Sequence, residues 1–205
     1  MPSAYFPHVE AQKAALRRTL RQRRAALTLP YRREASLSIM QRASSGKLLR
    51  RGRRVAVYVS MASEISTWPL ILKALQAGCL VYLPVVPRRG RLMHFVRYDH
   101  TSAWQRDHYG IPFPVHEETC RPQDLDVAFV PLLGFDAELA RLGQGGGYYD
   151  TTFRFRRLRQ KWKKPRLVGL AYDCQEVAGL PVASWDLCLD EVITETRQLR
   201  ARIAD

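Results

Sequence analysis

Cysteine is scarce and scattered. Cys79, Cys120, Cys174 and Cys188 form no CxxC pair and no zinc-ligand spacing. That excludes a disulfide-stapled secreted scaffold and a zinc module, and leaves reduced thiols that mostly fill core. The five histidines show no HxxxH spacing, so nothing points to a transition metal. No apolar run approaches the about 20 residues that a membrane span needs. The opening stretch MPSAYFPHVEAQK lacks the apolar core of a secretory signal. A cytoplasmic chain with no membrane partner is expected. Acids are also few, 19 against 33 Lys and Arg, and the shortage is local. Residues 13–54 hold 14 basic residues against Glu34 alone, so almost all of the net +14 falls in the first quarter. Such asymmetry suits a polyanion, either nucleic acid or a polyphosphate. No RNP motif, KH loop or zinc finger accompanies it, which disfavours nucleic acid, and most of these arginines read as a solvated helical face.

The 205 residues are within the size of one α/β domain, and no repeat, low-complexity tract or linker divides 1–205. Residues 9–28 read as a helix with Leu16, Leu20 and Leu27 on one face and Lys13, Arg17, Arg21 and Arg24 in an adjacent stripe. Pro30 ends it, and 31–49 reads as a second helix. Arg54 to Val59 is a buried strand, Trp68 to Leu75 a helix closed by Gly78, and Cys79 to Leu83 the next strand. Together these make a βαβ unit and hence a parallel sheet. Arg91 to Tyr98 fits an edge strand, while 99–125 reads as mostly irregular because Pro112, Pro114 and Pro122 forbid long helices. Further strands are expected at Val127–Val130, Arg166–Ala171 and Leu187–Ile193, with a helix over Tyr148–Lys164. The sum is a three-layer α/β/α domain with a mainly parallel sheet, preceded by two N-terminal helices.

One stretch concentrates the chemistry. Pro131 to Asp150, PLLGFDAELARLGQGGGYYD, carries Gly143, Gly145, Gly146 and Gly147 ahead of two tyrosines and an aspartate. A strand, a glycine-rich turn and a helix start expose backbone N–H groups to an anion. The helix end supplies only about 0.3–1 kcal/mol per charge, so a polyphosphate also needs cations, for which Arg141 and the basic tract are candidates. A Walker loop is excluded because Tyr148, not lysine, follows Gly147, and a GxGxxG fingerprint from Gly143 fails at position 148. A nucleotide is the expected ligand.

GFD followed by RLGQGGGYYD resembles the signature of the 5-formyltetrahydrofolate cyclo-ligase (5,10-methenyltetrahydrofolate synthetase) family. Companion segments follow in order along nearly the whole chain: KAALR at 13–17, YVSMASEIST at 58–67, VYLP at 81–84, GIP at 110–112 and WDLCLD at 185–190. The family usually has a glycine between FD and RLG, where this chain has Leu139. The resemblance implies ATP-dependent conversion of 5-formyltetrahydrofolate to 5,10-methenyltetrahydrofolate, with release of ADP and phosphate. No covalent catalytic residue is implied, only positioning and electrostatics. The phosphates would meet Lys13, Arg17, Arg141, Leu142, Gly143, Gln144, Gly145, Gly146, Gly147, Tyr148 and Tyr149. Val59, Glu64, Tyr109 and Tyr149 would surround the pterin, Tyr109 standing where relatives often carry tryptophan. Asp150 and Asp186 would hold Mg2+, with Asp190 a nearby structural acid. The plainer alternative is that Glu64 caps or flanks a helix start, as acids commonly do. The rival reading is a catalytically idle relative that binds nucleic acid through its basic N-terminal half. The sequence leaves the oligomeric state open.

Overall fold

The computed structural model describes residues 7–158 and 164–201. The chain opens with α1 (Pro7–Ala25) and α2 (Leu29–Ser45). Pro30 lies in the first turn of α2, where its missing N–H is harmless, and Thr28 caps that helix by accepting from the Tyr31 N–H at 3.4 Å. β1 (Arg54–Ala56), α3 (Trp68–Gln76) and β2 (Leu80–Val85) form the expected parallel βαβ unit. β3 (His94–Tyr98), the separate hairpin of β4 (Ala103–Arg106) and β5 (Pro112–Val115), and β6 (Thr119–Cys120) follow. β7 (Val127–Pro131) returns to the other side of β1. Then come a small hairpin, β8 (Gly134–Phe135) and β9 (Arg141–Leu142), and two short helices, α4 (Tyr148–Thr152) and α5 (Phe155–Leu158). β10 (Arg166–Leu170), β11 (Glu191–Ile193) and the antiparallel edge strand β12 (Gln198–Arg200) complete the sheet.

The main sheet runs β12-β11-β10-β7-β1-β2-β3-β6, with the five strands from β11 to β2 mutually parallel. Its strands alternate faces as a period of two requires. Val55, Val81, Phe129 and Val168 meet α2 and α3 on one side, through Ile39, Leu70 and Ile71. Ala56, Tyr82, Ala128 and Leu167 meet Phe135, Leu139, Phe153 and Leu187 on the other. The layers are therefore α/β/α, with the N-terminal α2 packed into one of them. The order reverses at β1, since β2 lies on one side and β7 on the other. Ligand crevices form outside the carboxyl ends of strands at such a point.

Several sequence expectations are corrected. The helix expected over 148–164 ends at Thr152 and restarts as α5, and 159–163 lie outside the described residues. Packing overrides propensity there: Phe153 is fully buried, with its ring 5.9 Å from Phe95 and 6.2 Å from Phe155. Residues 99–125 hold no long helix and are mostly irregular, as expected, but they add three short strands, the prolines being tolerated in β5, an edge strand. The first and last expected strands are shorter, at 54–56 and 191–193, and β12 lay beyond the apolar runs that sequence periodicity detects.

Leu139 keeps the turn in which the family favours glycine. It adopts φ +61°, while Asp136 accepts from the Glu138 and Ala140 N–H groups at 3.1 and 3.0 Å. A left-handed non-glycine residue costs about 1–2 kcal/mol, and burial of a leucine side chain returns about 1.5–3 kcal/mol; Leu139 is 2 % exposed.

Among the described residues of α1, Leu20 is the one wholly buried apolar side chain, seated where a Cβ on Gly134 would come within 2.6 Å of it. Leu20→Ala is expected to destabilise the protein by about 2–5 kcal/mol. Urea unfolding measures this, and an unchanged midpoint would show that α1 is held by its polar contacts alone.

Candidate active site

α1 lies along the glycine loop, and its basic stripe is engaged rather than solvated. Lys13 Nζ donates to Asp186 Oδ2 at 2.5 Å, and Arg17 Nε donates to the Gly143 carbonyl at 3.0 Å. One turn on, Arg21 Nη2 donates to Gln144 Oε1 at 3.1 Å. Arg24 is 4 % exposed and donates to Ser63 Oγ at 3.0 Å and to the Leu132 carbonyl. Burial lowers the Arg24 guanidinium from its ordinary pKa, with the Glu64 carboxylate opposing that shift. The helical spacing that suggested a stripe thus delivers one cation per turn to the loop and to the segment after β1.

The glycine loop leaves β9, not β7 as the apolar run at 127–130 suggested. Gly145 and Gly147 stand at φ +105° and +70°, conformations that suit glycine. α4, which follows, is five residues long, so its dipole adds little and side-chain cations dominate. Arg141, 8 % exposed, donates to Asp150 Oδ1 at 2.9 Å and to the Pro131 carbonyl at 3.3 Å. Asp150 Oδ1 also accepts from the Leu187 N–H at 3.0 Å. Burial pushes the Asp150 carboxyl up, but Arg141 and the Leu187 N–H outweigh it and hold the group below its ordinary value.

Two cavities open on either side of this loop. One, of about 510 Å³, is lined by Lys13, Arg17, Arg91, Arg154, Arg157 and Asp186. The other, of about 490 Å³, is lined by Tyr58, Val59, Met61, Met93, Ile111 and Tyr149. Arg141, Gly143, Gly145, Gly147 and Asp150 line both and form the wall between them. The apolar cavity sits on the carboxyl ends of β1, β2 and β7, through Tyr58, Pro84 and Pro131.

The residues singled out from sequence divide between the cavities. Lys13, Arg17, Leu142 and Asp186 line the polar one alone, and Val59, Glu64, Tyr109 and Tyr149 the apolar one alone. Gln144, Gly146 and Tyr148, expected against the nucleotide, line the apolar cavity and not the polar one. Glu64 both caps and lines: its Oε2 accepts from the Met61 N–H at 3.0 Å, and Gln144 Nε2 donates to its Oε1 at 3.4 Å. The Tyr109 and Tyr148 hydroxyls share a hydrogen bond of 2.8 Å. Burial, then the Glu64 carboxylate, raise the Tyr149 pKa, keeping the phenol neutral. Asp190 lines neither cavity and is held by Arg156 at 2.7 Å and by the Leu167 N–H at 2.7 Å.

Sequence reasoning missed Arg91, Arg154 and Arg157, and the apolar Tyr58, Met61, Met93 and Ile111. Arg154 had a signal, lying four residues after Asp150. Arg91 and Met93 had none, because long-range packing alone brings the β2–β3 loop to α4.

Asp150 and Asp186, the two acids expected at the metal, both line the polar cavity. Among the described residues, Asp150 Oδ2 and Asp186 Oδ1 have no hydrogen-bond partner, although each opposite oxygen is bound to a cation. No group of three or more His, Cys, Asp or Glu capable of holding a metal occurs among the described residues. Two carboxylates suffice for Mg2+, which completes its octahedron with phosphate oxygens and water.

The 5-formyltetrahydrofolate cyclo-ligase family model matches residues 9–195. The sequence is 34% identical over 187 residues to the 5-formyltetrahydrofolate cyclo-ligase of Haemophilus influenzae, covering 89% of this chain and 97% of that protein. It is 30% identical over 194 residues to the mouse (Mus musculus) 5-formyltetrahydrofolate cyclo-ligase, covering 91% and 95%. The NMR structure of Aquifex aeolicus 5,10-methenyltetrahydrofolate synthetase superposes with a TM-score of 0.80 at 29% identity, covering 94% of each chain.

The Asp150 pKa provides a test of the buried pair. A depressed carboxylate stabilises the fold above its unfolded value of about 3.9, and the contribution is lost as pH falls through the lower folded value. Arg141→Met is expected to move the Asp150 carboxyl titration upward in carbon-detected NMR. An unmoved titration would assign the shift to the Leu187 N–H.

Proposed function

The chain belongs to the 5-formyltetrahydrofolate cyclo-ligase family, and we propose how its residues divide the work. It cyclises 5-formyltetrahydrofolate to 5,10-methenyltetrahydrofolate with ATP, releasing ADP and phosphate. The observation that carries the division is the shared wall: a cation-rich cavity and an aromatic-lined cavity of similar size meet across one glycine loop. The polar side takes the nucleotide phosphates and the apolar side takes the pterin. We read the chain as one domain, which the single family match over residues 9–195 supports. The family match supports the cyclo-ligase reading over the nucleic-acid one.

The formyl group on N5 is amide-like, and its oxygen is a poor leaving group. Attack of that oxygen on the γ-phosphorus breaks the bond to ADP and turns the oxygen into part of a phosphate ester. N10 of the same molecule then attacks the formyl carbon. The C–O bond breaks, phosphate departs with the former formyl oxygen, and N10 gives up its proton to that phosphate. Intramolecular attack from a held geometry gains a large effective molarity. The protein therefore has to align and neutralise rather than form covalent bonds.

Lys13, Arg17 and Arg141 provide positive charge at the phosphates, and the loop N–H groups provide close donors. Asp150 and Asp186 would hold Mg2+ through their unpaired oxygens. When bound, Mg2+ supplies charge neutralisation at the phosphate oxygens. Lys13 and Arg141 hold these two carboxylates in place. Val59 and Tyr149 enclose the flat ring, and Glu64 accepts hydrogen bonds from its N–H groups.

The purified protein is expected to form methenyltetrahydrofolate, followed by absorbance, only when ATP and Mg2+ are both present. A folded preparation that binds neither ATP nor the folate would overturn the reading. Glu64→Gln is expected to raise KM for the folate by about 10-fold or more, the loss of a charged hydrogen bond of about 1.5–3 kcal/mol, with KM for ATP nearly unchanged. Equal loss for both substrates would make Glu64 a support of the 61–64 turn instead. Asp186→Asn is expected to raise the Mg2+ concentration needed for half-maximal turnover, and an unchanged requirement would remove it from the metal site.

A further inference from the structure

Most cations of the polar cavity are already committed to the protein. Lys13 is bound to Asp186, Arg17 to the Gly143 carbonyl, Arg141 to Asp150, and Arg157 to the Ser184 carbonyl at 2.9 Å. The guanidinium groups of Arg91 and Arg154 have no hydrogen-bond or ion-pair partner among the described residues, and of the two it is Arg91 that stands against the glycine wall at Gly147. Its backbone is nonetheless fixed. Thr152, 1 % exposed, accepts from the Met93 N–H at 3.0 Å and donates to the Arg91 carbonyl at 3.4 Å, which ties the β2–β3 loop to α4.

That tie sets the side chain at a particular place. Arg91 Nη1 lies 3.4 Å from where a Cβ on Gly147 would stand, and Gly147 belongs to the wall common to both cavities. Arg91 lines the polar cavity, and Met93, two residues on, lines the apolar one. The loop therefore passes from one cavity to the other at the glycine wall. If the phosphates occupy one side and the pterin the other, the transferred group crosses beside Gly147.

We propose that Arg91 is a catalytic residue of the phosphoryl transfer. Its guanidinium bridges oxygens of the γ-phosphoryl group as the bond to ADP breaks and the bond to the formyl oxygen forms. A planar, permanently charged donor suits the spread-out charge of that transition state. An anchored backbone with a partnerless side chain needs no internal bond broken to reach it. The inference rests on the proposed reaction and adds a residue from an element that the sequence signature does not include.

The test compares wild type, Arg91→Ala and Arg91→Lys in three measurements: turnover, Kd for ADP, and Kd for ADP with aluminium fluoride and 5-formyltetrahydrofolate. Arg91→Ala is expected to lower kcat on the order of 10²–10³-fold, leave the ADP Kd within a few-fold, and abolish the tightening that aluminium fluoride gives wild type. Arg91→Lys should recover part of kcat, which loss of a merely structural contact would not predict. Unchanged turnover in Arg91→Ala, or a parallel loss of ADP affinity, overturns the role. Wild type that fails to form product overturns the underlying reaction as well, so the two failures are separable.

Discussion

The Arg141–Asp150 ion pair is the constraint on which the site depends. It spans the wall between the two cavities, with the arginine side chain 3 % exposed and the carboxylate 24 %. Through Asp150 it reaches the Leu187 N–H, and through Arg141 it reaches the Pro131 carbonyl at the end of β7. The glycine loop lies between these anchors and the basic stripe of α1. Removing one partner of a buried pair costs about 3–5 kcal/mol, mostly from stranding the other charge. The pair thus gives a glycine-rich sequence a fixed position between two cavities.

In the proposed reaction this arrangement links fold to chemistry through positioning rather than a covalent catalyst. The sheet reverses order at β1, which opens a crevice on the carboxyl ends of β1, β2 and β7. Residues after β1 and β2 line the apolar cavity. The β8–β9 hairpin, which follows β7, delivers the loop that divides that cavity from the polar one. α1 closes the polar side with Lys13 and Arg17. In the proposed transfer each element brings one part, and geometry and charge do most of the work.

Much of this was legible in the sequence, for identifiable reasons. The buried strands announced themselves as apolar runs, and the RLGQGGGYYD stretch located the loop because its glycines, tyrosines and aspartate are local to one segment. Lys13 and Asp186 could be named separately, but their 2.5 Å contact spans 173 positions and no periodicity encodes it. Arg91 and Met93 were silent for the same reason, since Thr152 fixes them from a distant helix. Gln144 was assigned to the nucleotide by its place in the motif. Its side chain bonds Glu64 and Arg21, contacts that spacing along the chain cannot report. The helix over 148–164 failed because Phe153 prefers the core to the helical register.

The most direct test of the central claim follows the formyl oxygen. Substrate carrying ¹⁸O in the 5-formyl group is turned over with unlabelled ATP, and the released phosphate is analysed by mass spectrometry. Transfer across the shared wall predicts one ¹⁸O in each phosphate released with product. Unlabelled phosphate, with the isotope lost to water, would contradict it, because ATP would then be hydrolysed apart from the folate rather than beside it.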